Sequence, residues 1–161
     1  LQRENDTMDA KLVNPFIDAF TTVMPQMGFQ EPKRTKMSVK EKIAESLGVS
    51  VIVGFTKQIR GNVVYNMSED TAKYIASTMM MGMPVENFDE MAQSAISEMS
   101  NMLTANAATN LTAMGLEVDI STPSLSVGEK FQIKISGEQY LTVEMDLGGH
   151  PVELDIAVAA Q

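Results

Sequence analysis

The sequence predicts a single α+β domain, an antiparallel-rich β-sheet with a long central helix and accompanying helices on one face. Three observations predict it. The periodicity runs helix, strands, two helices, strands, so strands and helices are grouped rather than alternating. No glycine-rich phosphate loop follows a strand, which argues against a doubly wound nucleotide-binding fold. At 161 residues, with 44% apolar and 20% charged residues, the chain is long enough for one full core and short for two domains.

The first helical segment spans residues 9–27, where Leu12, Val13, Phe16, Ile17, Phe20, Val23 and Met24 recur three and four apart. Pro15 suits a first turn, with Asn14 as a candidate cap and the helix starting later than its apolar pattern; Gly28 is a stop. β-Branched runs then mark strands at 34–39, 50–56 and 61–67, the last two joined by a turn at 58–61. Residues 40–48 read equally as a loop or a short helical turn. Ser68, followed by Glu69 and Asp70, starts a second helix, and Gly82 with Pro84 stops it. Asn87 with Glu90 three residues on reads as a reciprocal cap opening a third helix of about seven turns that Gly115 ends. Strands follow at 118–121, 131–135, 140–146 and 152–158, with turns at Gly128, Gly137 and Gly148-Gly149.

Composition narrows the function classes. A net charge of −9 opposes nucleic-acid binding, and the cluster Lys33, Arg34 and Lys36, with Glu31 beside it, reads as a solvated strand edge. No apolar run is long enough to cross a bilayer, so membrane insertion is not expected. The absence of cysteine removes thiol and disulfide chemistry and suits the cytoplasm, the expected location. Residues 1–7 read as a disordered lead or tag remnant, with Met8 as the natural start and the folded domain at 8–161.

The third helix has two contrasting faces. Ala92, Ala95, Ile96, Met99, Met102, Leu103 and Met114 fall on one arc, expected to face the core. The opposite arc carries Ser94, Glu98, Asn101, Ala105 and Ala108: one carboxylate and one carboxamide among small residues. A solvated face ordinarily carries long Lys and Glu side chains in ion pairs, whereas small residues around two functional groups let another surface come close. On spacing alone, a Glu with an Asn three residues later reads as an ordinary polar stripe.

The segment Ser-Ala-Ile-Ser-Glu-Met-Ser-Asn at 94–101 resembles the signature of the CheC, CheX and FliY phosphatases, in which Asp or Ser precedes a Glu-x-x-Asn pair and a proline follows some twenty residues on. Pro123 stands in that place, one residue short of the family spacing. The stretches Asn-Pro-Phe-Ile-Asp-Ala-Phe at 14–20, Met-Met-x-Gly at the end of the second helix, and Asp-Ile-Ser-Thr-Pro-Ser at 119–124 resemble CheX in particular. CheC-type members carry a second Glu-x-x-Asn site on the first helix, which is missing here, so the likeness is to the single-site CheX subgroup.

The resemblance implies a CheC-like fold, a homodimer, and hydrolysis of the acyl phosphate on a CheY-like response regulator in chemotaxis or related two-component signalling. It implies Asn101 and Glu98 as the catalytic pair, Asn101 orienting water and Glu98 docking on the receiver's active-site lysine. Ser94 and Ala105 complete the partner-binding face. No cofactor of the protein's own is expected; the Mg²⁺ belongs to the receiver. The competing class is a non-catalytic response-regulator-binding or flagellar-switch-like module, with a purely structural dimer as a third.

Other residues carry less. His150, the only histidine, lies in a Gly-Gly-His-Pro turn and reads as a surface residue rather than a triad member. Asp89, Glu90 and Glu98 fall on different helix faces and make no metal set. The fourteen methionines read as core filler, with 79–83 the stretch where a packing interface is the alternative. The closing strands, 140–146 and 152–158, alternate apolar and polar residues and are candidates for edge-to-edge pairing across a two-fold axis.

Overall fold

The computed structural model describes residues 10–161; the expected lead at 1–7, Met8 and Asp9 lie outside the described residues. A single 3₁₀ turn, Ala10–Leu12, runs directly into helix α1, Asn14–Gln26. Because the chain enters already helical, Val13 occupies the cap position with φ −82° and ψ −38° and no side-chain cap forms. Asn14 is therefore the first helical residue rather than the cap, while Pro15 sits in the first turn as its fixed φ favours.

Strand β1, Lys33–Lys57, is continuous across 25 residues, so 40–48 is neither loop nor helix. Its partner is β4, Ser124–Asp146, paired antiparallel from Lys33 opposite Asp146 to Ile52 opposite Ser124. The ladder slips at Arg34/Lys36, Glu41/Ile43 and Glu45/Leu47, and such slips are what disguised both strands as shorter pieces. Gly128 accordingly lies inside β4 and makes no turn, whereas Gly137 falls where β4 bulges between Lys134 and Gln139 opposite Lys42 of β1, with Ser136 Oγ accepting from the Glu138 amide and donating to the Gln139 carbonyl. At the third slip, buried Asn66 accepts from the Leu47 amide at 2.9 Å and donates to the Glu45 carbonyl at 2.9 Å, satisfying backbone that the ladder leaves open.

Strand β2, Ile59–Ser68, returns along the second half of β1, and its expected turn tightens to Lys57-Gln58, with Gly61 inside the strand. Ser68 caps helix α2, Glu69–Met79, by accepting from the Thr71 amide. Helix α3, Glu90–Ala113, is capped by Asp89, whose carboxylate accepts from the Ala92 amide at 3.0 Å; the cap expected at Asn87 is two residues early. Short strand β3, Val118–Ile120, pairs with the end of β1, and β5, Pro151–Ala160, lies between β2 and the second half of β4. Residues 141–146 of β4 lie in turn between β5 and β1, so neither closing strand offers the free edge expected of it.

All three helices pack on one face of this five-stranded antiparallel sheet. The core interleaves Phe16, Phe20 and Ile96 from the helices with Val51, Phe55 and Ile156 from the strands, each burial worth about 1.5–3 kcal/mol. Phe16 and Phe55 meet edge to face at 5.3 Å between centroids. On α3 the buried stripe is Ala92, Ile96, Met99, Ser100, Leu103, Thr104, Ala107 and Leu111. Met102 and Met114, expected in the core, are exposed: at about 100° per residue Met102 points well away from the stripe, and Met114 is the cap residue past the helix end, while the stripe's own hydroxyls are satisfied, Ser100 donating to the Ile96 carbonyl and Thr104 to the Ser100 carbonyl.

A smaller cluster of Ala44, Val64, Ile135, Tyr140 and Ala157 forms where the middle of the β1–β4 ribbon meets residues of β2 and β5. Asp155 is buried beside it, accepting from Thr142 Oγ1 at 3.0 Å through Oδ1 while Oδ2 makes no hydrogen bond. Burial, reinforced by the neighbouring Glu153 carboxylate, pushes the Asp155 carboxyl up to about 8. Between the unfolded value of about 4 and that folded value, the native state keeps a proton the unfolded chain has released. Stability is therefore expected to fall as pH rises through this window, by at most about 1.4 kcal/mol per pH unit. Asp155→Asn is expected to flatten that slope and to be more stable than the native protein at pH 8, as urea denaturation from pH 5 to 9 will read.

Candidate docking and catalytic site on helix α3

The outward face of α3 lines an open groove of about 750 Å³. One wall is the helix, through Glu90, Gln93, Ser94, Ser97, Glu98 and Asn101. The other is the link from β3 to β4, through Ile120, Ser121, Thr122, Pro123 and Leu125. That second wall is held by β1: the Ser121 amide donates to the Gly54 carbonyl at 2.9 Å, and Ser121 Oγ accepts from the Gly54 amide at 2.8 Å.

Glu98 and Asn101 are both exposed, and neither side chain has a hydrogen-bond or ion-pair partner among the described residues. Three residues of helix separate them by about 4.5 Å of rise and about 60° of rotation, so one rigid element presents both. Their orientation is fixed from behind. Thr104, already donating to Ser100, accepts at 2.8 Å from the buried Tyr65 hydroxyl, which ties the rotation of α3 to strand β2. Burial pushes the Tyr65 phenol well above its ordinary value, so it stays a donor. At the helix start Gln93 Nε2 donates to the Phe88 carbonyl, and near its end Asn110 donates to the Pro15 carbonyl of α1.

The structure brings Ser94, Glu98 and Asn101 into the groove; Ala105 is exposed on the same stripe but lies outside it. Ser97 and the wall at 121–123 are additions. Pro123, noted for its spacing from Asn101, was the signal for that wall, since a proline there fixes where the chain turns from β3 into β4. His150 lies in the turn between β4 and β5, far along the chain from the groove residues, and stacks flat on Tyr74 with centroids 3.8 Å apart. Among the described residues no three His, Asp or Glu side chains gather closely enough to hold a metal ion.

The sheet thus backs a long helix whose outward face displays an exposed carboxylate and carboxamide with no partner among the described residues. The comparisons identify the family. Residues 49–146 match the family described as Chemotaxis phosphatase CheX, and the chain belongs to that family. It is 36% identical over 131 residues to the CheY-P phosphatase CheX of Thermotoga maritima, covering 81% of this chain and 84% of that protein. Among solved structures, it is 30% identical to the CheX–CheY–BeF₃–Mg²⁺ complex from Borrelia burgdorferi, with a TM-score of 0.75, covering 92% of this chain and 97% of that one. A CheC-like superfamily protein from Shewanella sp. PV-4 superposes with a TM-score of 0.83 at 26% identity, covering 95% of this chain and all of that one (100%). The α+β, CheC-like fold expected from the sequence is the one observed.

Proposed function

We propose that the protein is a cytoplasmic phosphatase that hydrolyses the aspartyl phosphate of a CheY-type receiver domain docked on α3. The observation that carries this is the pair Glu98 and Asn101, uncommitted and three residues apart in the groove, in a chain that belongs to the CheX family. The curated relative is named a CheY-P phosphatase, and the related solved complex contains CheY. Among the described residues no helix is long and apolar enough to cross a membrane.

Phosphoryl transfer through a loose, in-line transition state leaves a phosphatase little to do beyond placing water. Asn101 suits that role, since its amide oxygen accepts from the attacking water while its nitrogen donates to a phosphoryl oxygen. The bond between phosphorus and the aspartyl oxygen breaks, and inorganic phosphate and a free carboxylate leave. Glu98 does not serve as base, because a carboxylate is repelled by the dianionic phosphoryl group; it pairs with the receiver's lysine and sets register. Ser94 and Ala105 keep the surface low on either side. The Mg²⁺ is the receiver's, where it offsets phosphoryl charge. The test is whether the native protein speeds decay of phosphorylated receivers from the same organism. Binding without acceleration would mark a non-catalytic module instead.

The same reading includes a homodimer, and its surface is not the closing strands. Met37, Val39, Ile43 and Leu47 are exposed along β1, and the outer flank of 33–41 pairs with no described strand. An apolar, unpaired strand flank is what a second copy would cover. Val39→Lys is expected to convert a dimer to a monomer in analytical ultracentrifugation; an unchanged mass would remove this surface from the interface.

A further inference from the structure

Between α2 and α3 the chain presents methionine where a soluble surface has no use for it. Met81 is 94% exposed, Met83 59% and Met91 64%. Met81 also has φ +60°, a left-handed conformation that costs a residue with a side chain on the order of 1 kcal/mol, and Gly82 follows at φ +86°. This left-handed pair closes α2, the Gly82 amide donating to the Ser77 carbonyl at 2.8 Å, and leaves the Met81 side chain in solvent. A glycine or asparagine would make the same turn without the strain or the exposed thioether. Beside it, Met80, Met83 and Met91 line a concavity of about 310 Å³ with Pro84 and Val85.

This patch is continuous with the groove. Glu90 lines the groove and Met91 lines the methionine concavity, so the two meet at the first turn of α3. At about 100° per residue, Met91, Glu98 and Met102 fall within about 20° of one line along the helix, with Asn101 and Ser94 beside it. Met102, exposed rather than in the core, thus extends the apolar track on the far side of Glu98. Flexible, polarizable methionine at a protein-binding surface adapts its shape to a partner.

We propose that Met81, Met83 and Met91 form the apolar anchor that holds the receiver domain against α3, separate from the polar pair that acts on the phosphoryl group. The occupant is the receiver rather than a second copy, because the patch runs into the phosphatase groove and not into the exposed flank of β1; the proposal rests on the functional reading above. It divides the surface into an anchor that sets affinity and a polar centre that sets rate.

The test uses the whole chain and CheY-type receivers of the same organism, loaded with beryllofluoride and Mg²⁺ for binding and phosphorylated for kinetics. The triple variant Met81→Gln, Met83→Gln, Met91→Gln is expected to raise Kd and KM tenfold or more while kcat at saturation stays within twofold. The matching triple leucine variant is expected to bind within threefold of native, which separates lost apolar surface from a folding defect. Native-like binding by the glutamine variant would overturn the anchor, as would a change in its oligomeric mass in place of its receiver affinity. An active native protein with an unaffected glutamine variant counts against the anchor alone. A native protein that speeds no receiver's decay counts against the phosphatase reading itself.

Discussion

Asn101→Ala is expected to lower kcat for receiver dephosphorylation at least 100-fold while leaving the affinity for a beryllofluoride-loaded receiver within about threefold, the size of loss seen when one positioned transition-state group is removed. The side chain is exposed and has no hydrogen-bond partner among the described residues, so its removal costs no folding interaction with them. On the proposed mechanism, what disappears is the group that holds water in line with the leaving oxygen. Glu98→Ala is expected to behave differently. Losing one partner of an intermolecular ion pair raises KM by about tenfold, a change of about 1.4 kcal/mol, and that loss shrinks as salt screens the pair. Stopped-flow decay of the phosphorylated receiver across substrate concentrations separates the two parameters. Equal behaviour of the two variants would remove the division of labour, and a fully active Asn101→Ala protein would remove the site assignment.

The helix face that carries the candidate pair is legible in the sequence because helical periodicity is local. Placing Glu98 and Asn101 on the face opposite Ile96, Met99 and Leu103 needs nothing but 3.6 residues per turn. The opposing wall was not legible in this way, for Ser121 and Thr122 reach the groove through pairing with Gly54, more than sixty residues earlier. The same distinction runs through the fold. Capping at Ser68 and the stop signals at Gly82 and Gly115 are short-range chemistry, and they fall where expected. Strands β1 and β4 were each split because bulges and glycines look like turns when the strand opposite is unknown. Buried Asn66, which repairs one of those bulges, has no local signature at all. Met102 and Met114 read as core from their apolar character alone, but Met102 stands on the groove side of the helix and Met114 at its C-cap, whereas the buried stripe includes Ser100 and Thr104, satisfied along the helix's own backbone.

Gly61→Ala is expected to be the most damaging single-methyl change in the protein. A Cβ at Gly61 would lie 1.9 Å from the Ala157 carbonyl oxygen and 2.9 Å from Val158 Cα, both backbone atoms of β5. Flexible side chains can move aside; this strand cannot, because β5 is paired with β2 through Gly61 opposite Val158 and with β4 on its other flank. Gly61 also has φ +141°, outside the range that side-chain-bearing residues readily adopt. Overpacking of about 1–3 kcal/mol and backbone strain of about 1–3 kcal/mol act together, giving a loss of roughly 2–6 kcal/mol from a domain whose total stability is typically about 5–15. At this chain length that corresponds to a fall in Tm on the order of 10 °C. Gly137→Ala supplies the contrast: nothing lies within 4 Å of its Cβ position, its φ is ordinary, and its Tm is expected to stay within about 2 °C of native. Sequence reading put Gly61 at the end of a hairpin turn. Calorimetry on the two variants therefore decides between a turn glycine and one required by the close approach of β5, and a Gly61→Ala protein as stable as Gly137→Ala would contradict the β2–β5 packing that carries Tyr65 and, through it, the orientation of α3.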